Sequence, residues 1–98
     1  MARFDVYAGA HGKGYLLDCQ ADLLSHLDTR VVVPLLPAER VPTVERLNPL
    51  FEIKGRRVVM STQLIFAIPR DRVGKPIVSL AGEQTAIMNA LDMLLTGF

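Results

Sequence analysis

Only one stretch of this chain has the period of a helix, and it comes last. From about Ala81 to Leu95 the apolar residues Ile87, Leu91 and Leu94 recur at helical spacing, and Phe98 continues the row on the same face. Everything before it is short apolar segments cut apart by glycine and proline. Proline breaks a helix interior and is confined to the margins of a sheet, so each break ends an element. Many short strands followed by one helix predict an α+β domain, mainly β, with an antiparallel sheet. The chain has 98 residues and is half apolar, enough for one compact core and too little for two, so residues 1–98 are expected to form a single domain.

The strands can be placed individually. Phe4-Asp5-Val6-Tyr7-Ala8 alternates apolar and polar residues, the period of a half-buried strand. Gly9 to Gly14 holds three glycines in six residues and reads as a hairpin loop, with Tyr15 to Gln20 as the return strand. Ala21 to Asp28 fits either a short strand or one helical turn. Arg30-Val31-Val32-Val33-Pro34-Leu35-Leu36-Pro37 is the strongest strand, because consecutive valines favour a pleated, buried surface. Pro34 has no donor for a ladder and is expected at an edge or a bulge. Leu50 to Ile53 and Arg57 to Ser61 form a hairpin around Lys54-Gly55. Leu64 to Ile68 and Pro76 to Leu80 supply further short strands, separated by a charged loop. Glu83 is expected in the first turn of the helix, where negative charge suits the dipole.

The helix carries more apolar surface than one core face needs. Met88, Met93 and Leu95 lie off the Ile87–Leu91–Leu94 stripe, and a helix apolar on several sides is covered on several sides. In a domain this small a second copy of the chain is the expected cover. Met88, Leu91, Met93, Leu94 and Leu95 are therefore the expected homodimer interface. Gly97 suits a left-handed helix cap. It leaves Thr96-Gly97-Phe98 as a short apolar tip that either closes the domain's own core or belongs to an interface with another protein.

Composition excludes several classes. Net charge is +1 with no dominant basic run, which argues against tight nucleic-acid binding by counterion release, although a small basic groove remains compatible. Cys19 is the single cysteine, so no internal disulfide forms, as suits a reducing cytoplasm. No apolar run approaches the ~20 residues that span a bilayer, and Met1 to Asp5 lacks the layout of a signal peptide. A cytoplasmic protein without membrane contact is expected.

Candidate chemistry is sparse. Cys19, His11 and His26 could suggest a nucleophile or a metal site. Cys19, however, alternates with Asp18 and Gln20 and is expected to point into the core as a small hydrophobe. Zinc needs three or four ligands, so neither a metal nor a cofactor is expected. Gly12-Lys13-Gly14 lacks the spacing of a phosphate loop and no helix follows it. Lys54, Arg56 and Arg57 cluster at one hairpin and Arg70, Arg72 and Lys75 in one loop, with no interleaved aromatic residues to stack bases.

In this order the segments resemble the CcdB family of bacterial toxins. Phe4-Asp5-Val6-Tyr7 is similar to that family's opening strand. Leu17-Asp18-Cys19-Gln20-Ala21-Asp22-Leu23-Leu24 and Thr29-Arg30-Val31-Val32-Val33-Pro34-Leu35 are similar to its next conspicuous motifs. Asn48-Pro49, Met60-Ser61-Thr62 and Asn89-Ala90-Leu91-Asp92 also fit. The resemblance implies an SH3-like antiparallel barrel with a C-terminal α-helix, shared with the MazF and Kid toxins, and a two-fold homodimer. It implies the toxin of a type II toxin–antitoxin pair, not itself an enzyme. Such a toxin traps the A subunit of DNA gyrase on cleaved DNA and is neutralised by a CcdA-like antitoxin with a disordered tail. The family's gyrase-binding Trp-Gly-Ile ending maps onto Thr96, Gly97 and Phe98, with Thr96 in place of the Trp. An antitoxin site at Ala8, Gly9, His11 and Lys13 is expected from the family and from the adaptable loop.

Two other classes compete. An endoribonuclease on the same barrel would need acid–base and cationic groups converging in a groove, and Arg57, Arg70 and Asp71 are the candidates. A non-toxic dimer that only holds its antitoxin is the third reading, kept open by Thr96.

Overall fold

The computed structural model describes residues 2–9 and 14–97. Strands β1 (Asp5–Ala8) and β2 (Tyr15–Asp18) form an antiparallel hairpin with Val6 opposite Leu17 and Ala8 opposite Tyr15. The Gly9 N–H donates to the Gly14 carbonyl at 3.1 Å and closes it. The undecided stretch after β2 is a single 3₁₀ turn, Asp22–Leu24. Strand β3 (Thr29–Pro37) follows. Then come the hairpin strands β4 (Leu50–Ile53) and β5 (Arg56–Met60). Lys54 and Gly55 between them have φ of 51° and 79°, as a two-residue hairpin turn demands. Short strands β6 (Phe66–Pro69) and β7 (Val78–Ser79) lead to helix α1 (Gln84–Thr96). The expected first helical turn is instead a 3₁₀ turn, Ala81–Glu83. Glu83 therefore stands at the N-cap, where its side chain caps nothing.

The strands form one sheet in the order β4-β5-β3-β2-β1-β7, with β6 also paired to β3, all antiparallel. It curls into a nearly closed barrel, open at the seam between β4 and β7. The expected antiparallel barrel with one C-terminal helix is the observed architecture.

β3 is the central strand, so Pro34 is not at an edge. Its carbonyl accepts from Ser61 N–H at 2.9 Å, on the side where β5 pairs with residues 35–37 and β6 with residues 29–32. In a strand the N–H and C=O of one residue face the same way. The missing donor of Pro34 therefore falls in the gap where its neighbour changes from β5 to β6, and no ladder bond is lost.

One face of the sheet builds the core. Val6, Leu17, Cys19, Val33, Leu35, Ile53 and Met60 face inward and meet Ile87, Ala90 and Leu91 of α1. Tyr7 departs from the expected alternation, since it is as buried as Val6. It lies on the opposite face with Asp18 and Arg30, both fully buried. Arg30 Nε donates to Asp18 Oδ2 at 2.9 Å, and Arg30 Nη2 lies 2.7 Å from the same oxygen. Asp18 Oδ1 accepts the Gln20 N–H at 3.0 Å. Burial pushes the Asp18 carboxyl above its ordinary range, against the pull of Arg30 and of the Gln20 N–H. Burial, with the nearby carboxylates of Asp5 and Asp18, pushes the Tyr7 phenol up to about 12.

Breaking this pair strands a buried charge. Arg30→Met is expected to cost about 3–5 kcal/mol in urea unfolding, whereas Asp18→Leu combined with Arg30→Met costs less than Arg30→Met alone. A double variant that costs the sum of the two single ones would show that the charges act separately.

Candidate functional site

The terminal helix divides its apolar residues between two jobs. Ile87, Ala90 and Leu91 are buried in the barrel. This removes Leu91 from the expected dimer interface, because it stands one turn from Ile87 on the face that fills the chain's own core. Met88 is half-buried, and its sulfur accepts from Arg3 Nη2 at 2.9 Å. Met93 and Leu94 are half-buried, and Leu95 is 72 % exposed.

The end of α1 is held rather than frayed. Gly97 has φ 79°, and its N–H donates to the Met93 carbonyl at 3.0 Å, the left-handed cap expected from its sequence position. Thr96 Oγ1 donates to the Asp92 carbonyl at 2.6 Å. A side chain at Gly97 would meet nothing within 4 Å, so conformation and not crowding within this chain favours glycine there. Thr96 and Gly97 are exposed. Phe98 lies outside the described residues.

The exposed apolar surface extends beyond the helix. Leu64 is 53 % exposed and Phe66 42 % exposed. Leu64 belongs to the 3₁₀ turn Thr62–Leu64 that α1 packs against, and Phe66 opens β6, which pairs only with β3 among the described strands. Sequence reasoning missed both, because a short apolar segment gives no sign of which side is covered.

The polar candidates scatter. Cys19 is buried in the core as expected, and burial, aided by the Asp18 carboxylate and opposed by Arg3, pushes its thiol up to about 12. His26 is exposed. His11 and Lys13 lie outside the described residues. Among the described residues no three His, Cys, Asp or Glu side chains converge as a metal site would need. No helix there is long and apolar enough to cross a membrane.

Arg57, Arg70 and Asp71 are not brought together within one chain. Val58, next to Arg57, pairs with Pro37 at one end of β3, while Arg70 N–H donates to Asp28 just beyond the other end. β3 has nine residues, which separates the two ends by roughly 26 Å. Arg70 Nη1 is also engaged, donating to the Ser25 carbonyl at 2.7 Å.

Ala8 does reach a concave surface. Together with Gly14, Tyr15, Pro37, Arg56 and Arg57 it lines a hollow of about 370 Å³ between the β1–β2 hairpin and the start of β5. Gly14 seats that hairpin: it has φ +65°, and a side chain there would lie 2.6 Å from the Leu35 carbonyl oxygen.

Two solved structures share the architecture. The Mycobacterium tuberculosis toxin MazF-mt6 superposes with a TM-score of 0.70 at 19 % identity, covering 90 % of this chain and 92 % of its own. An endoribonuclease in complex with its cognate antitoxin, from a mycobacterial species, gives 0.75 at 17 % identity, covering 97 % and 94 %. At such identities the likeness establishes the fold, the SH3-like barrel on which these small proteins are built. The family is established by sequence: the model for the CcdB protein matches residues 3–97, and the chain belongs to the CcdB family. No curated protein matches it.

A buried thiol held far from ionisation is a poor nucleophile. Cys19 is expected to react with a thiol reagent on the order of a hundredfold more slowly in the folded protein than in urea. Fast labelling of the folded chain would return Cys19 to the list of reactive groups.

Proposed function

We propose that this chain is the toxin of a toxin–antitoxin pair that poisons DNA gyrase through Thr96-Gly97-Phe98 and is neutralised by a CcdA-like antitoxin. Membership of the CcdB family carries this reading. The geometry supports it: a 13-residue helix anchored in the core ends in a capped, exposed segment, a stiff mount for a short apolar tip. The tip acts by filling a small apolar gap between gyrase subunits. Phe98 contributes most of the buried area, about 2 kcal/mol or more for a buried ring. No catalytic residue is needed for this mechanism, in which the toxin binds and holds an enzyme rather than acting as one.

The endoribonuclease reading keeps one argument, since a protein that shares the fold is described as an endoribonuclease. The separation of Arg57 from Arg70 and Asp71 counts against the residues that would serve it in a single chain.

Deleting Gly97 and Phe98 is expected to abolish growth inhibition and gyrase-mediated DNA cleavage while the fold persists. Gly97→Glu is expected to do the same through bulk and a desolvated charge, whereas Thr96→Trp keeps or raises toxicity. Growth after induction, cleavage in vitro and circular dichroism are the measurements. Full toxicity of the truncated chain, accompanied by RNA cleavage, would transfer the function to the ribonuclease reading.

We further propose a cytoplasmic homodimer that covers Met93, Leu94 and Leu95 together with Leu64 and Phe66, which the sequence analysis had not included. Sedimentation at micromolar concentration is expected to give a dimer, and Phe66→Glu with Leu95→Glu a folded monomer. A monomeric wild-type chain would overturn the proposal.

A further inference from the structure

The face of the sheet turned away from the apolar core gathers four polar side chains around Asp18. Tyr7 stands opposite Leu16, two residues before Asp18, and Val32, opposite Asp18, stands two residues after Arg30. Residues two apart on a strand share a face. A diagonal neighbour on the next strand is about 7–8 Å away, within reach of a long side chain. Tyr7 and Arg30 therefore approach Asp18 from either side, and Asp5, two residues before Tyr7, shares the face. Tyr7, Asp18 and Arg30 are fully buried, and Asp5 is half-buried.

The hydrogen bonds of this cluster are complete on one side only. Both oxygens of Asp18 are used: Oδ2 accepts from Arg30 Nε, with Nη2 in ionic contact at 2.7 Å, and Oδ1 accepts the Gln20 N–H. Arg30 Nη1 and the Tyr7 hydroxyl are buried and have no hydrogen-bond partner among the described residues. A buried donor left bare forfeits its hydration without return, so such groups are nearly always bonded to protein or to ordered water. Two of them flanking one carboxylate point to a shared partner.

We infer that Tyr7 and Arg30 hold an internal water molecule, which accepts from Arg30 Nη1 and from the Tyr7 hydroxyl. The charges of the site select this ligand. Arg30 is already balanced by Asp18, and Asp5 adds a second carboxylate, so an anion finds no net positive charge. A cation would face the N–H of Arg30. A larger molecule is excluded, because Tyr7, Asp18 and Arg30 are all closed to solvent. Water is neutral, small, and both donor and acceptor, and polar interiors bind it where two to four partners converge. Burial, with the nearby carboxylates, pushes the Tyr7 phenol up to about 12, so its hydroxyl keeps a proton to donate. The Asp5 carboxylate, close enough to act on that phenol, is an acceptor for a proton of the water. The bound water ties β1 to β3 across β2, two strands that share no ladder.

The sign of one substitution separates a wet site from a dry one. With the water bound, Tyr7→Phe removes one of its partners and is expected to raise the unfolding equilibrium constant in urea by roughly fivefold or more. In a dry site the phenol is buried without a partner, and deleting its hydroxyl leaves stability unchanged or higher. Oxygen-17 relaxation dispersion on the full chain reads the water itself: Tyr7→Phe is expected to lose one long-lived water relative to the wild type. Tyr15→Phe, at a half-buried ring outside the cluster, keeps the wild-type count. A crystal structure fine enough to show ordered water is expected to place one at about 3 Å from both Arg30 Nη1 and the Tyr7 hydroxyl. That reading does not depend on how the variant folds. A Tyr7→Phe chain at least as stable as the wild type with an equal count of long-lived waters would overturn the site. So would a wild-type crystal structure with no water between the two groups.

Discussion

The buried pair of Asp18 and Arg30 is the constraint around which the rest of this barrel is arranged. Two opposite charges sit with no solvent access on the face of the sheet away from the apolar core. Such a pair is costly where its remaining hydrogen-bonding capacity goes unused, and here it is used on the Asp18 side, while Arg30 Nη1 and the Tyr7 hydroxyl are buried with no hydrogen-bond partner among the described residues. Asp18 uses its second oxygen on the Gln20 N–H. The Gln20 side chain then donates to Leu24 and accepts from Val31, tying the 3₁₀ turn to the central strand. One network therefore sets the spacing of β2 and β3 and the path of the chain between them. Shifting β3 by one residue against β2 would turn Arg30 into the apolar core, so the pair also locks register.

A second polar cluster does the same work at the other side of the sheet. Asn48 accepts from Val44 N–H and donates to the Met60 carbonyl and to Gln63, while Thr62 donates to the Leu47 carbonyl. The long connection between β3 and β4 is fastened to the end of β5 in this way. These are the residues of two of the motifs through which the chain resembles its family, and here they have a structural task. Family likeness at such positions reports the barrel. Only the exposed end of α1 at Thr96 and Gly97 and the exposed apolar surface at Leu64, Phe66 and Leu95 are left without such a task.

The barrel separates those surfaces. The capped end of α1 projects from the core beside an exposed apolar surface at Leu64, Phe66 and Leu95. The hollows lined by Arg57 lie along the β4–β5 hairpin, of which β4 borders the open seam.

Most of the fold could be read along the chain. Valine-rich β3, the Lys54-Gly55 turn and the periodic α1 are local signals, because propensity, turn geometry and side-chain period act over a few residues. The cap at Gly97 and the burial of Cys19 were legible for the same reason. What the sequence could not show is what lies across space. Tyr7 looks like the outward residue of an alternating strand until Asp18 and Arg30 meet it on that face. Pro34 looks like an edge residue until two different strands share one side of β3. Leu91 looks like a candidate for a partner until α1 turns it into the barrel, and Arg57 and Arg70 look like one basic set until β3 holds them at opposite ends. The sequence by itself determined the main strands, the terminal helix, their order and the Gly97 cap, since those depend on neighbours in the chain. The tertiary structure alone decided which charges are buried together, which apolar residues remain uncovered and where the surface turns concave, since those depend on strand register and barrel closure.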